Sequence, residues 1–179
     1  MDACGDTVVY RQQVCEVAAL RENYFEGKDY LGLRALFENS LKLFVAVDEA
    51  TPDNLRPIMS KRAALALIDS IVDADTIDEN ALKPDAPTPT LLERRMKEEY
   101  DKRLRTFAPE DLVPIMKSVH ERSVRRVDSG RRITATDKKY FDLAEGLLCD
   151  ELAVSLAVPR ENVKDVLVAR VQPAAAPRP

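Results

Sequence analysis

Residues 117–139 concentrate positive charge in a chain that is acidic as a whole. Lys117, Arg122, Arg125, Arg126, Arg131, Arg132, Lys138 and Lys139 stand there against Glu121, Asp128 and Asp137, although the 179-residue chain carries a net charge of -4. Residues 91–105 add Arg94, Arg95, Lys97, Lys102, Arg103 and Arg105 against Glu93, Glu98, Glu99 and Asp101. Clustered cations can meet phosphates, the sequence-independent part of nucleic-acid binding. They can equally form a solvated helix face with i,i+4 ion pairs. The acidic balance excludes indiscriminate nucleic-acid binding by the whole molecule, so any phosphate contact must be local.

Catalytic chemistry has little to work with. His120 is the only histidine, it lies in a charged helical stretch, and the five glycines are too scattered to form a phosphate loop. Cys4, Cys15 and Cys149 are odd in number and show no C-x-x-C spacing, which predicts reduced thiols with no zinc site and no disulfide framework. Cys149 falls inside a long helical pattern with no histidine placed to activate it. Glu98-Glu99 and Asp73-x-Asp75 read as solvated faces and not as metal ligands. These residues predict a protein that is not an enzyme and needs no cofactor or metal.

The elements that would position the charges divide into two kinds. "GDTVVY" (5–10) opens with turn residues and β-branched strand formers. "VCEVAAL" (14–20), "YLGLRAL" (30–36) and "LKLFVAV" (41–47) follow, the last with the period-2 alternation of a half-buried strand. "RENYFEGKD" reads as a hairpin loop around Gly27, "ENS" (38–40) as a tight turn, and "TPDNLRP" (51–57) as a break made by two prolines. Short antiparallel strands with short links predict a small, strongly bent sheet or barrel.

From Ser60 the period becomes helical. Ser60 is the expected cap for apolar positions Ala64, Leu65, Leu67, Ile68, Ile71 and Val72. Residues 73–90 are acidic and proline-rich and read as a linker or a loosely packed connection between two halves expected to have separate cores. Beyond them Leu92, Met96, Tyr100 and Leu104 recur every four residues. Asp111 is the expected cap of the next helix, because only that start puts Pro114 in a first turn, and Gly130 is its stop. Thr134-x-x-Asp137 starts a long helix through Leu156, with Tyr140, Ala144, Leu147, Leu148 and Leu152 on its buried face. Pro159 opens a short last helix, and residues 172–179 read as a disordered tail. The division is 1–59, a β domain; 60–90, a helix and acidic connection; 91–171, a helical domain; and the tail. At 45% hydrophobic and 32% charged residues the composition excludes wholesale disorder. No apolar run approaches the ~20 residues of a membrane span, and the N-terminus lacks a basic-then-apolar signal-peptide pattern, which predicts a cytoplasmic protein with no membrane contact.

Several of these stretches resemble one family. "GDTVVY", the strand-rich run to "FVAVDEA" and "LRPIMSKRAALALIDSI" look like the N-terminal half of the CarD/CdnL proteins, bacterial transcription regulators that bind RNA polymerase. "ITATDKKYFDLAEGLLCDELAVSLAVP" (133–159) is similar to the family's closing long helix, and the resemblance covers about residues 4–170. It implies an α+β fold with an N-terminal Tudor-like β-barrel that docks on the polymerase β subunit, partly by edge-strand pairing, and a C-terminal all-α domain. That domain is implied to meet promoter DNA at the upstream edge of the melted bubble.

Residue by residue, the family's basic barrel positions fall near Asn23 and Phe44, with Arg21, Arg34 and Lys42 close by. Many members carry a tryptophan wedge for the DNA fork. This chain has no Trp, and Leu92 stands near that position, followed by a matching basic run at Arg94, Arg95 and Lys97. Arg125, Arg126, Arg131 and Arg132 would extend the phosphate track. The same barrel occurs in transcription-repair coupling factors, but this chain has neither their length nor a Walker A loop. The expected protein is a monomeric regulator without a small-molecule substrate that stabilises the open promoter complex. The alternatives are an adaptor on polymerase that touches another protein instead of DNA, and a small enzyme of unrecognised type.

Overall fold

The computed structural model describes residues 4–38, 41–52 and 54–171. The chain is α+β and divides into two compact units, one of residues up to Ala64 together with Asp150–Val163, the other of Leu65–Cys149 and the residues from Lys164 onward.

In the first unit five strands form one antiparallel sheet: β1 (Thr7–Tyr10), β2 (Gln13–Phe25), β3 (Lys28–Ala35), β4 (Lys42–Ala46) and β5 (Leu55–Pro57), in the order β4-β3-β2-β1-β5. The expected closed barrel does not form. β4 and β5 are open edges, although Leu43 and Leu55 from those two edge strands both pack against the same core of Cys15, Val17, Leu33, Ala35 and Val45. The sheet is therefore bent around one apolar cluster without closing. β5 is only three residues long and ends on Pro57, which has no N–H to extend a ladder. That strand lies in the proline-marked stretch read as a break.

The loop read at "RENYFEGKD" is instead strand. β2 continues to Phe25, opposite Lys28, and the turn is only Glu26-Gly27, with φ of 50° and 73°. Positive φ at both central residues is the type I′ geometry whose twist matches a two-residue hairpin. The ladder is irregular between Arg21 and Phe25, where Asn23 takes φ 49° and donates its N–H to Asp29 Oδ1 at 2.9 Å. Of the expected turn at 38–40, Asn39 and Ser40 lie outside the described residues, as does the tail at 172–179.

Residues Asp150–Val163 return to the sheet unit. Glu151, nearly fully buried, accepts from both terminal guanidinium nitrogens of Arg56 on β5, Nη1 and Nη2, at 2.6 and 2.7 Å, and from the Met59 N–H at 3.2 Å. A carboxylate taking a bidentate arginine and a backbone donor has its buried lone pairs satisfied, which is what makes a desolvated pair tolerable.

The helices are α1 (Lys61–Ser70), α2 (Glu79–Leu82), α3 (Pro89–Leu104), α4 (Pro109–Asp128), α5 (Ala135–Leu156) and α6 (Val163–Val171). Ser60 Oγ accepts from Ala63 N at 3.2 Å and Thr134 Oγ1 from Asp137 N at 2.9 Å, so both expected caps are present. Met96, Tyr100 and Leu104 are buried as their spacing predicts, while Leu92 in the first turn of α3 is half-buried. Gly130 stops α4 at φ 72°. Asp111 is not the cap: α4 begins at Pro109 after Ala108, so Pro114 lies inside the helix. It removes the bond that an N–H at this position would have made to the Glu110 carbonyl.

The acidic stretch 73–90 has the form of the packed connection. It carries α2, capped by Asp78, and buries Ile77 and Ala86. Among the described residues no helix is long and apolar enough to cross a membrane.

Candidate functional site

Two surfaces, one on each unit, collect the residues singled out by sequence. On the sheet, register decides which side chains share a face. Gly32 pairs with Phe44 and Arg34 with Lys42, while Arg21 pairs with Tyr30 and Glu16 with Arg34. Side chains directly opposite in a ladder project to the same side, so Arg21, Arg34, Lys42 and Phe44 all lie on the face turned away from the Cys15–Val45 core.

There the Arg21 guanidinium lies 4.8 Å from the Tyr24 ring centre and 5.2 Å from that of Phe44, within cation–π range of both. Tyr24 and Phe44 stack at 5.3 Å, and Tyr30 meets Tyr24 edge-on at 5.8 Å. Tyr24 and Phe44 remain 47% and 42% exposed, so this cluster is a surface and not a core. Arg34 is committed to an ion pair with Glu16, whereas Lys42 has no ion pair among the described residues. Tyr24 and Tyr30 were missed from sequence, because the bulge at Asn23 hides the period-2 pattern that would have placed them.

The β4 edge adds backbone groups to this face. Ala35 N–H donates to the Leu41 carbonyl at 3.2 Å, so residues 41, 43 and 45 turn their polar backbone toward β3. By the antiparallel alternation, Lys42 and Phe44 turn theirs outward, without a partner strand among the described residues, beside the aromatic cluster, while Ala46, buried, caps the short 3-10 turn Val47–Glu49 with its carbonyl. Cys15 lies on the buried side of the same sheet, where burial, helped by Glu38, pushes its thiol up to about 11 and leaves it protonated and unreactive near neutrality.

On the helical unit Arg122 is the hub. Its side chain is 5% exposed and meets Glu79 at 2.8 Å, Glu93 at 2.7 Å and Asp137 at 3.4 Å. Burial alone would lower its pKa, but Asp137 and Glu93 outweigh that and raise it, so the guanidinium stays charged. Asp137, fully buried, also accepts the Tyr100 hydroxyl at 3.2 Å, and Tyr140 donates to Asp101. Arg122 thus ties α2, α3, α4 and α5 together and is structural.

Around this hub most of the expected phosphate contacts are already occupied. Arg94 and Arg95 share Glu98, at 3.0 and 2.9 Å, and these two partners, Arg94 first, lower the Glu98 pKa. Arg125 pairs with Glu79 at 2.8 Å, and Arg126 pairs with Glu93 at 3.5 Å while donating to the Arg132 carbonyl at 3.0 Å. Three carboxylates, Glu79, Glu93 and Glu98, therefore each bridge two arginines. Lys97, Arg131 and Arg132 are exposed and have no ion pair among the described residues. The structure gathers Arg125, Arg126, Arg131 and Arg132 at the C-terminal end of α4, where cations also suit the helix dipole.

No protein-family model matches this chain, and no curated protein is significantly similar to it.

Proposed function

We propose that the protein is a non-enzymatic transcription regulator that binds the RNA polymerase β subunit through its sheet unit and steadies the open promoter complex through its helical unit. The observation that carries the reading is the open β4 edge, whose outward backbone groups at Lys42 and Phe44 adjoin the Arg21–Tyr24–Phe44 cluster. An edge of this kind is a template for strand addition, with backbone bonds giving affinity and flanking side chains specificity. The bent five-stranded sheet stands as the counterpart of the Tudor-like barrel in the CarD/CdnL proteins that the sequence resembles. On the helical side, Lys97, Arg131 and Arg132 supply uncommitted positive charge, and Leu92 a half-buried apolar side chain at the start of α3. Held on polymerase by a tether, a weak phosphate-binding surface works at an effective concentration on the order of millimolar.

The adaptor reading draws on a different observation. Arg94, Arg95, Arg125 and Arg126 are all paired to glutamates, which reduces the charge available to a phosphate chain. Open-complex decay with purified polymerase separates the two readings. Under the first, Leu92→Ala shortens the lifetime with little change in its salt dependence, since it removes a wedge and no charge, and Leu92→Trp lengthens it. Unchanged lifetimes in Leu92→Ala and in an Arg131→Ala/Arg132→Ala variant that still binds polymerase leave the adaptor. Failure of the full chain to capture polymerase removes both.

A further inference from the structure

We propose that residues 73–86 form an acidic strap that occupies the basic face of α4 in place of a polyanion, with Glu79 standing where a phosphate would pair with Arg125. The proposal rests on the reading that the helical unit contacts nucleic acid, and adds how that contact is restrained.

The strap is held at successive turns along one side of α4. Lys117 Nζ donates to the Val72 carbonyl at 2.8 Å and to the Ala74 carbonyl. Ser118 Oγ accepts the Ile77 N–H at 2.7 Å. One turn on, Glu79 Oε1 takes Arg122 Nη1 at 2.8 Å, and a further turn on its Oε2 takes Arg125 Nη2 at 2.8 Å. Each carboxylate oxygen thus satisfies a different guanidinium, the pairing a bridging phosphate would make with the same two groups.

The two arginines differ in what they would do without Glu79. Arg122 keeps Glu93 and Asp137 and stays buried. Arg125 is 59% exposed and has no other ion pair among the described residues, so it is the cation that exchanges partners. The strap is also weakly seated. Only Ile77 and Ala86 of residues 73–86 are buried, and a polar cleft of about 560 Å³, lined by Asp78, Asn80, Lys83 and Glu121 among others, runs beside α4. Of the strap's anchors the Glu79–Arg125 pair lies in the open and can be replaced by water at small cost, whereas the Ile77–Ser118 bond is buried. Asp73, Asp75, Asp78 and Asp85 are exposed along the strap and oppose an approaching phosphate backbone while it is in place.

The test is binding of a duplex oligonucleotide of random sequence to the full chain at several salt concentrations. Glu79→Gln is expected to bind about two- to fivefold tighter than the unaltered protein, with a salt slope steeper by about one, because Arg125 is released to a phosphate. Arg125→Ala binds more weakly, and Glu79→Gln adds nothing on top of it. Duplex binding by the unaltered chain with no gain in Glu79→Gln overturns the strap and leaves the nucleic-acid reading standing. No binding by either form, alone or on polymerase, overturns both. Glu79→Gln also loosens a partner of buried Arg122, so hydrogen exchange on the unaltered chain provides a second measurement. The Ile77 amide should exchange faster when duplex is added, and unchanged or slower exchange under saturating duplex overturns the strap.

Discussion

The sheet unit turns outward rings and a strand edge with no neighbouring strand among the described residues, whereas the helical unit turns outward arginines that already have partners. Phe44 and Tyr24 are more than 40% exposed beside the open β4 edge. Arg94, Arg95, Arg125 and Arg126 are each within 3.5 Å of a glutamate. The first surface can add a strand without giving anything up. The second must exchange one set of ion pairs for another, so its affinity is a difference between two similar terms. Under the proposed function, specificity and anchoring would belong to the sheet, and adjustable, salt-sensitive contact to the helices.

The comparison breaks most readily at Arg122, where a paired arginine is part of the core. Arg122→Ala leaves Asp137 buried without a cation and should destabilise the helical unit by about 3–5 kcal/mol in urea unfolding. A loss comparable to that of an exposed pair would show that this network is not structural. The tyrosines that accompany the hub give a pH test. Burial, then Asp101, push the Tyr140 hydroxyl from 10.0 up to about 12, and burial, then Asp137, also raise Tyr100. A group whose folded pKa is raised stabilises fully below its unfolded value, and that contribution disappears as pH climbs through the folded one. The urea midpoint of the helical unit should therefore fall between pH 10 and about 12, and Tyr140→Phe should flatten part of that fall.

The sheet side is sharpened by Lys42→Pro, which deletes one outward N–H and no ladder bond. It should weaken polymerase capture about three- to tenfold, the worth of one or two backbone hydrogen bonds, and leave thermal stability nearly unchanged. The smallest expected effect separates free from committed arginines. Arg131→Ala with Arg132→Ala should reduce the salt slope of promoter binding by about two. Arg94→Ala with Arg95→Ala should change it by less, since Glu98 is discharged of its partners at the same time.

What could be read from the sequence was local. The caps at Ser60 and Thr134, the stop at Gly130 and the Met96–Tyr100–Leu104 stripe each depend on residues within a turn or two of one another. What escaped was set at a distance or by an exception. β5 forms in a proline-marked stretch because an edge strand tolerates Pro57 at its end. β2 outruns its apparent end because the irregularity at Asn23 breaks the alternation. Pro114 lies inside α4, against the expectation of a first-turn proline. The basic clusters were legible as charge, but their partners were not. Glu79, Glu93 and Asp137 reach Arg122 from three other helices, 43, 29 and 15 residues away in sequence.

The return of Asp150–Val163 to the sheet unit bears on how the chain is made. Arg56 and Glu151 are 95 residues apart, so the sheet unit is discontinuous and cannot be completed as it leaves the ribosome. At roughly 5–20 residues per second of synthesis, β5 waits several seconds or more for its carboxylate. During that interval Arg56 lacks this partner and the helical unit is already being made. Contacts of such long sequence separation slow folding, because a large loop must close before they form. A nascent chain stalled before Asp150 should therefore show a sheet more open to protease than the released protein. Supplying residues 150–163 as a separate peptide should restore part of its protection.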